Sequence, residues 1–292
     1  MEHIVLSGAT GFLGSHILNA LIKQGYFVTI LKRTTSDTWR IKHLLDVIDI
    51  INVDACSIDD AFENKRISTV IHTACDYGRN GQSISDVVKT NLLFGLDLLS
   101  SACKFNTPYF INTGSLLPGN INPYALSKSQ FNDWLQHKSN EINVISLNLE
   151  HMYGPDDDGG KLVPWVIRNL ENNAERIPLT DGYQRRDFIY IDDVVNAYLV
   201  SLSSKEKLPN FVEFDVGTGN LTPVREFIEK IKDEFKFIHP ENSTILGFGD
   251  KKMRVGELLD IHVNTSPLES LGWSAHYSVD MGIRKLMRGR EL

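Results

Sequence analysis

The stretch that most constrains the fold is GATGFLGSHI, residues 8–17, because it contains three regularly spaced glycines. Gly8, Gly11 and Gly14 are separated by two residues each and follow an apolar run at residues 4–6. An apolar run, then glycines, then apolar residues at helical spacing predicts a strand, a tight turn and a helix. The start of such a helix offers free backbone N–H groups and the positive end of the helix dipole, so it can hold a phosphate.

This turn predicts a dinucleotide site, and a bare strand-to-helix turn is the alternative. Glycines are needed there because a side chain would block a pyrophosphate and would keep the helix away from the strand. The residues expected to contact the cofactor in the turn are Gly8, Gly11, Phe12, Leu13 and Gly14.

The rest of the chain predicts an α/β fold. Strand-like apolar segments alternate with helical stretches at 14–24 and 87–104, and the segments are 4–6, 27–31, 48–53, 69–72, 109–112 and 144–147. This alternation is typical of a Rossmann-type, doubly wound parallel sheet. We expect a nucleotide-binding domain at 1–150, to which about 185–205 returns, and a smaller C-terminal α/β substrate lobe at 151–292.

Composition narrows the function. The chain of 292 residues has a net charge of −7 and no dense Lys/Arg tract, so nucleic acid is not expected as a partner. No apolar run approaches the roughly 20 residues that span a bilayer, so no membrane partner is expected. Three cysteines without metal-ligand spacing and no export signal predict reduced thiols, no metal and a cytoplasmic location.

The end of the second predicted strand indicates which dinucleotide is bound. An acidic residue there would hold the ribose hydroxyls of NAD, but the chain has Lys32 and Arg33, followed by hydroxyl side chains. A guanidinium binds phosphate oxygens in a forked geometry, so the 2′-phosphate of NADP(H) is favoured. If both cations are merely solvated, the choice between NADP(H) and NAD(H) stays open.

A second motif, PYALSK at 123–128, places Tyr124 and Lys128 four residues apart and therefore on one helix face. A nearby ammonium favours tyrosinate, so the pair can give or take a proton at a sugar hydroxyl or carbonyl. The preceding strand and hydroxyl-bearing loop, FINTGS, make the combination more specific than the spacing alone.

These motifs, together with EHMYGP at 150–155 and RRDFIYIDDVVNAY at 185–198, resemble the extended short-chain dehydrogenase/reductase superfamily in its nucleotide-sugar branch. The resemblance covers essentially the whole chain. It implies a Rossmann domain that binds NAD(P) and a C-terminal lobe that binds a nucleoside diphosphate sugar. It also implies a homodimer paired through two long helices, although their apolar faces could equally be core contacts.

The resemblance implies a role for each matching residue. Tyr124 would be the general acid/base, and Lys128 would lower its pKa and bind the nicotinamide ribose. Thr113 would hydrogen-bond the reacting oxygen when the motif is aligned from its strand, whereas counting back from Gly119 reaches a glycine instead. Ser115 is the reserve candidate, and it is expected near the substrate.

Further cofactor contacts are implied at the ends of the next strands. Asp54 and Ala55 match positions that hold the adenine, Thr73 and Ala74 would line the cofactor cleft, and Asn91 matches a family asparagine. For each of these, a capping or core role is the alternative.

The second lobe should supply cations for the diphosphate of the substrate. Arg186 and Arg254 match phosphate-binding arginines of the family, and Lys161 lies in the loop expected to close over the substrate. His151 replaces a usual asparagine and would contact the sugar or the diphosphate, with a structural histidine as the alternative.

The reaction favoured by the sequence is reduction of a C4 ketone. The 4,6-dehydratases of the family carry Asp and Glu after the active-site threonine, whereas this chain has Gly114 and Ser115. The NADP-type charges favour net reduction over the internal recycling of an epimerase. Within the branch the chain resembles reductases of the CDP-abequose and CDP-paratose synthase type, which make O-antigen sugars for lipopolysaccharide, and a dTDP-linked substrate stays open. The alternatives are a nucleotide-sugar 4-epimerase and a non-catalytic NADP-binding sensor or scaffold.

Overall fold

A computed structural model describes residues 2–79, 81–254 and 256–289. The strands in this part of the chain are β1 (His3–Ser7), β2 (Phe27–Lys32), β3 (Asp49–Asn52), β4 (Ile67–His72), β5 (Tyr109–Ser115), β6 (Asn143–Leu149), β7 (His151–Tyr153), β8 (Arg176–Leu179), β9 (Arg185–Arg186), β10 (Phe188–Tyr190), β11 (Phe211–Val216), β12 (Thr222–Pro223) and β13 (Ile245–Phe248). The α-helices are α1 (Phe12–Lys23), α2 (Ile84–Val88), α3 (Phe94–Lys104), α4 (Pro123–Lys138), α5 (Leu162–Glu171), α6 (Ile191–Ser204), α7 (Val224–Ile238), α8 (Ser266–Glu269) and α9 (Val279–Arg288).

The central sheet has seven strands in the order β11-β6-β5-β4-β1-β2-β3. Strand β1 pairs in parallel with both β2 and β4, and the sheet continues in parallel from β4 through β5 to β6. The order therefore reverses between β1 and β4, where doubly wound sheets bind their ligands beyond the carboxyl ends of the strands. The predicted Rossmann-type sheet is confirmed, and all six predicted strand segments lie in it.

The chain divides into two compact units. The first comprises Met1–Leu149, Val195–Asp215 and Ser270–Trp273, and the second comprises Glu150–Val194, Val216–Glu269 and Ser274–Leu292. The core of the first unit contains fully buried Val5, Val70 and Phe110 from the sheet. No helix of the described residues is long and apolar enough to cross a membrane.

One predicted helix differs from its observed form. The sequence predicts one continuous helix over 87–104, but a π-helical turn at Lys89–Leu93 separates α2 from α3. Such a widened turn redirects a side chain, and it commonly marks a functional region. Here it points Asn91 into the interior, where its amide meets buried polar partners.

The second unit is built from short strand pairs and aromatic packing. Strands β7 and β10 pair in parallel, as do β8 and β13, while β9 and β12 pair antiparallel. The ring of Phe227 stacks on Phe188 and meets Tyr153 edge-on. Asp193 is buried at the start of α6 and accepts hydrogen bonds from the backbone of His276 and Tyr277, which holds the segment before α9 in place.

Candidate active site

The glycine turn joins β1 to α1 and folds closely on the protein's own backbone. Gly8 has a φ of +75°, and a Cβ on it would lie 2.6 Å from the backbone nitrogen of Ala74. A Cβ on Gly14 would lie 2.1 Å from the carbonyl oxygen of Gly8. Both positions therefore exclude a side chain, Gly8 for its conformation and its neighbour, and Gly14 for its contact with backbone.

The first turn of α1 fits a pyrophosphate. Gly11 is the N-cap, no side chain caps the helix, and no acidic residue lies in the first turn. The backbone N–H groups at the helix start, which include those of Phe12 and Leu13, have no intrahelical acceptor. The partial positive charge of the helix end adds to their attraction for an anion.

The end of β2 carries both the predicted cations and a carboxylate. The Lys32 Nζ donates to the carbonyl oxygen of Arg33 at 3.1 Å, and the Arg33 side chain is exposed. Asp54 accepts hydrogen bonds from the backbone nitrogen and the hydroxyl of Thr34, at 2.8 and 2.6 Å. These hydrogen bonds keep the pKa of Asp54 below its usual value, so it stays ionised. Asp54 therefore ties together the loops that follow β2 and β3, with Ala55 as its neighbour in the second loop.

The carboxyl ends of β1 and β4 are joined by a side chain. The hydroxyl of Thr73 donates to the carbonyl oxygen of Ser7 at 2.8 Å, directly beside the glycine turn. Ala74 follows with its backbone nitrogen against Gly8. Thr73 and Ala74 therefore lie beside the glycine turn, and their contact with a cofactor stays a prediction.

The side-chain amide of Asn91 is hydrogen-bonded within the protein. It is 0% exposed, and its Oδ1 accepts from the backbone nitrogen of Asp76 at 2.7 Å. Its Nδ2 donates to the carbonyl oxygen of Asp76 and to the hydroxyl of Ser127. Through these bonds Asn91 holds the loop after β4 against α4, and its contact with a cofactor stays a prediction.

The start of α4 positions the tyrosine and the lysine. The Oδ1 of Asn122 accepts from the backbone nitrogen of Ala125 at 2.8 Å and caps the helix, and a proline begins it. Lys128 is 3% exposed, and its Nζ donates to the carbonyl oxygen of Thr113 at 2.7 Å. Burial lowers the pKa of Lys128. The pair predicted from PYALSK is thus placed at the carboxyl end of β5.

The phenol of Tyr124 is held in its protonated form. Burial raises its pKa, while a hydrogen bond with Ser115 and the positive charge of Arg79 act in the opposite direction. Arg79 is a cation whose charge lowers the pKa of Tyr124, and the Nζ of Lys128 donates to the Thr113 carbonyl oxygen. A protonated tyrosine beside a second hydroxyl is suited to donate a proton to a substrate oxygen.

The hydroxyls of Thr113 and Ser115 lie in different surroundings at the end of β5. The Thr113 hydroxyl donates to the carbonyl oxygen of His72 at 2.8 Å, and the Tyr198 hydroxyl donates to it at 2.7 Å. Both bonds are buried, so this hydroxyl is committed to the protein interior. Ser115, two residues on, is the hydroxyl that contacts Tyr124. The catalytic role of Thr113 stays a prediction, and Ser115 is the second candidate hydroxyl at this strand end.

His72 is a buried residue at the end of β4, the strand that pairs with β5. Its Nδ1 hydrogen-bonds with the Ser7 hydroxyl at 2.7 Å, and aromatic rings surround it. Burial and the charge of Lys128 lower the pKa of His72 to about 3, so the imidazole is neutral.

In the second unit, two of the residues predicted to bind the substrate, Arg186 and His151, are already paired with acidic neighbours. Arg186 is 5% exposed, and its Nη2 lies 2.5 Å from a carboxylate oxygen of Glu257. The Nδ1 of His151 lies 3.0 Å from a carboxylate oxygen of Glu150. Arg254 is exposed, and its carbonyl oxygen accepts from the backbone nitrogen of Glu257.

Lys161 is likewise engaged within its own loop. Its Nζ lies 2.8 Å from a carboxylate oxygen of Asp157 and 3.9 Å from one of Asp158. Burial raises the pKa of Asp157, and the ammonium of Lys161 opposes that shift. The lysine therefore neutralises a buried carboxylate of the loop.

An apolar cavity of about 160 Å³ also lies in the second unit. It is lined by Leu162, Trp165, Pro178, Leu179, Thr180, Gly182, Gln184, Val224, Ile228, Phe248 and Lys251. The Lys251 ammonium lies over the Trp165 ring, and the Gln184 Oε1 is buried without a hydrogen-bond partner. Among residues 2–79, 81–254 and 256–289, no group of three or more His, Cys, Asp or Glu residues could hold a metal ion.

Sequence reasoning missed three residues around Tyr124. Tyr77 and Arg79 lie in the loop after β4, and Tyr198 comes from α6. The loop residues carried a signal, because they follow the carboxyl end of a strand beside the reversal of strand order. Tyr198 carried none, because its contact with Thr113 joins residues 85 positions apart.

Comparison with known proteins places this arrangement among nucleotide-sugar enzymes. The sequence profile of the NAD dependent epimerase/dehydratase family matches residues 4–217. CDP-abequose synthase of Salmonella muenchen is 36% identical over 300 residues, which cover 99% of this chain and 98% of that protein.

Solved structures show the same fold. The structure of UDP-glucose 4-epimerase with UDP-glucose from Thermotoga maritima matches with a TM-score of 0.84 and 23% identity, covering 99% of this chain and 98% of that one. The structure of MoeE5 in complex with UDP-glucuronic acid and NAD matches with a TM-score of 0.81 and 21% identity, covering 99% of this chain and 100% of that one.

Proposed function

The chain belongs to the NAD dependent epimerase/dehydratase family, and from that premise we propose that it reduces the C4 ketone of a nucleoside diphosphate 4-keto-6-deoxyhexose with NADPH. The observation that carries the proposal is the placement of Lys128 at the carboxyl end of β5, where its buried Nζ donates to the Thr113 carbonyl oxygen one helical turn from Tyr124. The likeness to CDP-abequose synthase supports a CDP-linked substrate and a role in O-antigen synthesis.

Reduction follows from the chemistry of these side chains. When bound, the dinucleotide supplies a hydride, and the first turn of α1 with Lys32 and Arg33 would hold it. The Ser115 hydroxyl donates a hydrogen bond to the C4 oxygen and polarises the carbonyl. Tyr124 gives its proton to that oxygen, so that an O–H bond forms as the phenol becomes tyrosinate. Lys128 stabilises the tyrosinate by its positive charge.

The last two residues of β5, Gly114 and Ser115, support reduction over 4,6-dehydration. A Cβ on Gly114 would lie 2.0 Å from the side-chain oxygen of Asn148. A carboxylate at position 114 would therefore have to displace Asn148, and Ser115 offers a hydroxyl in place of the second acid.

The direct test is turnover by the purified full chain. The protein is incubated with NADPH and CDP-, dTDP-, UDP- and GDP-linked 4-keto-6-deoxyglucose, and absorbance at 340 nm is followed. We expect consumption of NADPH with one product per hydride, fastest for the CDP-linked sugar. Interconversion of 4-hydroxy sugars without consumption would support the epimerase, and tight cofactor binding without turnover would support the sensor.

Cofactor choice is tested by removing the two cations at the end of β2. Lys32→Ala with Arg33→Ala should raise the KM for NADPH by roughly 10- to 100-fold, because the variant loses one or two charge-assisted hydrogen bonds to the 2′-phosphate. The KM for NADH should stay unchanged. Lys23→Ala, at the opposite end of α1, is the matched control. Equal changes for both cofactors would refute a 2′-phosphate site.

We also propose that two copies pair through α2, α4 and the π-helical turn between α2 and α3. Large apolar side chains there are exposed, with Leu126 at 49%, Trp134 at 47% and Leu93 at 49%. Such a group of exposed apolar residues is typical of an interface. Sedimentation equilibrium should show a dimer, and Leu126→Glu with Trp134→Glu should give a folded monomer. A monomeric wild type would contradict the proposal.

A further inference from the structure

The ring of Tyr124 packs at a tilt against an aromatic residue that the proposed mechanism does not use. The centroids of the Tyr77 and Tyr124 rings are 4.9 Å apart, and the ring planes meet at 31°. On the same aromatic residue, the guanidinium carbon of Arg79 lies 5.0 Å from the Tyr77 centroid. Tyr77 thus connects an exposed cation with the phenol.

The position of Tyr77 is imposed by the preceding residue. Asn91 binds both the backbone nitrogen and the carbonyl oxygen of Asp76, and it also binds the Ser127 hydroxyl of α4. The Asp76 carboxylate in turn accepts from the backbone nitrogen of Gly78 at 2.8 Å. The loop is therefore fixed to the helix that carries Tyr124, one residue before the ring that stacks on it.

The groups that face Tyr124 come from four elements. Cys75 and Arg79 lie in the loop after β4, Ser115 lies at the end of β5, and Tyr198 lies on α6. Lys128 lies one turn further along α4 and donates to a backbone carbonyl. Arg79 is a cation whose charge lowers the pKa of Tyr124 and so favours tyrosinate.

We propose that Tyr77 and Arg79 are positioning residues for Tyr124: the Tyr77 ring fixes the face of the phenol, and Arg79 holds a positive charge beside it. This inference rests on the proposed role of Tyr124 as proton donor. It gives the loop after β4 a part in the proton transfer, without requiring that either residue touch the substrate.

The sign of the effect follows from the charge. A cation favours tyrosinate and lowers the pKa of the phenol, so removing Arg79 raises that pKa. A unit charge within about 10 Å across a partly solvated site changes a pKa by about 0.5 unit. At a pH below the pKa, this shift lowers the tyrosinate fraction about threefold.

Nitration by tetranitromethane measures the effect without any substrate, because the reagent attacks tyrosinate. The full chain is nitrated at pH 8, and the peptide with Tyr124 is quantified by mass spectrometry. Arg79→Gln should slow nitration of Tyr124 about threefold, whereas Arg79→Lys, which keeps the charge, should leave the rate near that of the wild type. Thermal unfolding confirms that each variant is folded.

Turnover supplies the second readout. Proton donation fails as Tyr124 ionises, so the alkaline limb of kcat should move about 0.5 pH unit upward in Arg79→Gln. Tyr77→Ala should lower kcat about tenfold with little change in the KM for NADPH, and Tyr77→Phe should retain activity. An inactive wild type would refute the proposed function and leave the nitration result to decide this inference. Equal nitration of wild type and Arg79→Gln, or slow nitration of both Arg79 variants, would overturn it.

Discussion

Tyr124→Phe is expected to lower kcat about 1,000-fold while the dissociation constant for NADPH changes less than about twofold. The substitution removes only the hydroxyl, so the ring can keep its stacking on Tyr77. General acid catalysis by a positioned side chain contributes typically 10²- to 10⁴-fold. The Thr113 hydroxyl is not free to replace the phenol as proton donor, because it is bound to the His72 carbonyl oxygen and the Tyr198 hydroxyl.

The measurement combines single-turnover NADPH oxidation with cofactor titration by fluorescence. Tyr26→Phe is a matched control, because it removes a tyrosine hydroxyl from another part of the first unit. Turnover of Tyr124→Phe within about tenfold of the wild type would show that the proton comes from elsewhere, and Ser115 would then be the next residue to replace.

The parts of the fold predictable from the sequence are those set by local pattern. Apolar runs gave the six strands, and the glycines before an apolar helix gave the turn that joins β1 to α1. Helix spacing placed Tyr124 and Lys128 at one helix start, since four residues complete about one turn. These features depend on residues close together in the chain, so one sequence contains enough information.

The choice between Thr113 and Ser115 depended on packing between distant segments. Both are hydroxyl residues on β5, and only the partners decide their roles. Tyr198 and His72 bind Thr113, and these partners come from α6 and β4. Aligning the motif by residue position along β5 gives no information about either contact.

The ion pairs of the second unit could not be predicted from the sequence either. Sequence position marks Arg186 and Lys161 as cations, but not whether a carboxylate already neutralises them. The structure pairs Arg186 with Glu257 and Lys161 with Asp157. Diphosphate binding at Arg186 would therefore compete with an internal ion pair, which lowers the affinity that an unpaired arginine would provide.

Gly14→Ala should abolish dinucleotide binding and destabilise the protein, although alanine is the better helix former. The gain in helix propensity is about 1 kcal/mol, whereas the new Cβ would lie 2.1 Å from the carbonyl oxygen and 2.6 Å from the carbonyl carbon of Gly8. These are backbone atoms that cannot rotate away, so the turn must open. We expect the free energy of unfolding to fall by about 1–3 kcal/mol and the affinity for NADPH to fall at least about 100-fold.

The control for this prediction is Gly160→Ala, where no atom lies within 4 Å of the added Cβ. Denaturant unfolding and NADPH titration of both variants separate the loss of the turn from the general effect of adding a methyl group. The clash opens the glycine turn and also strains the start of α1, so the stability and the NADPH affinity of Gly14→Ala should fall together. Neither should fall in Gly160→Ala. Wild-type affinity in Gly14→Ala would mean that the phosphate does not depend on the geometry of this turn, and the dinucleotide site would have to be sought elsewhere.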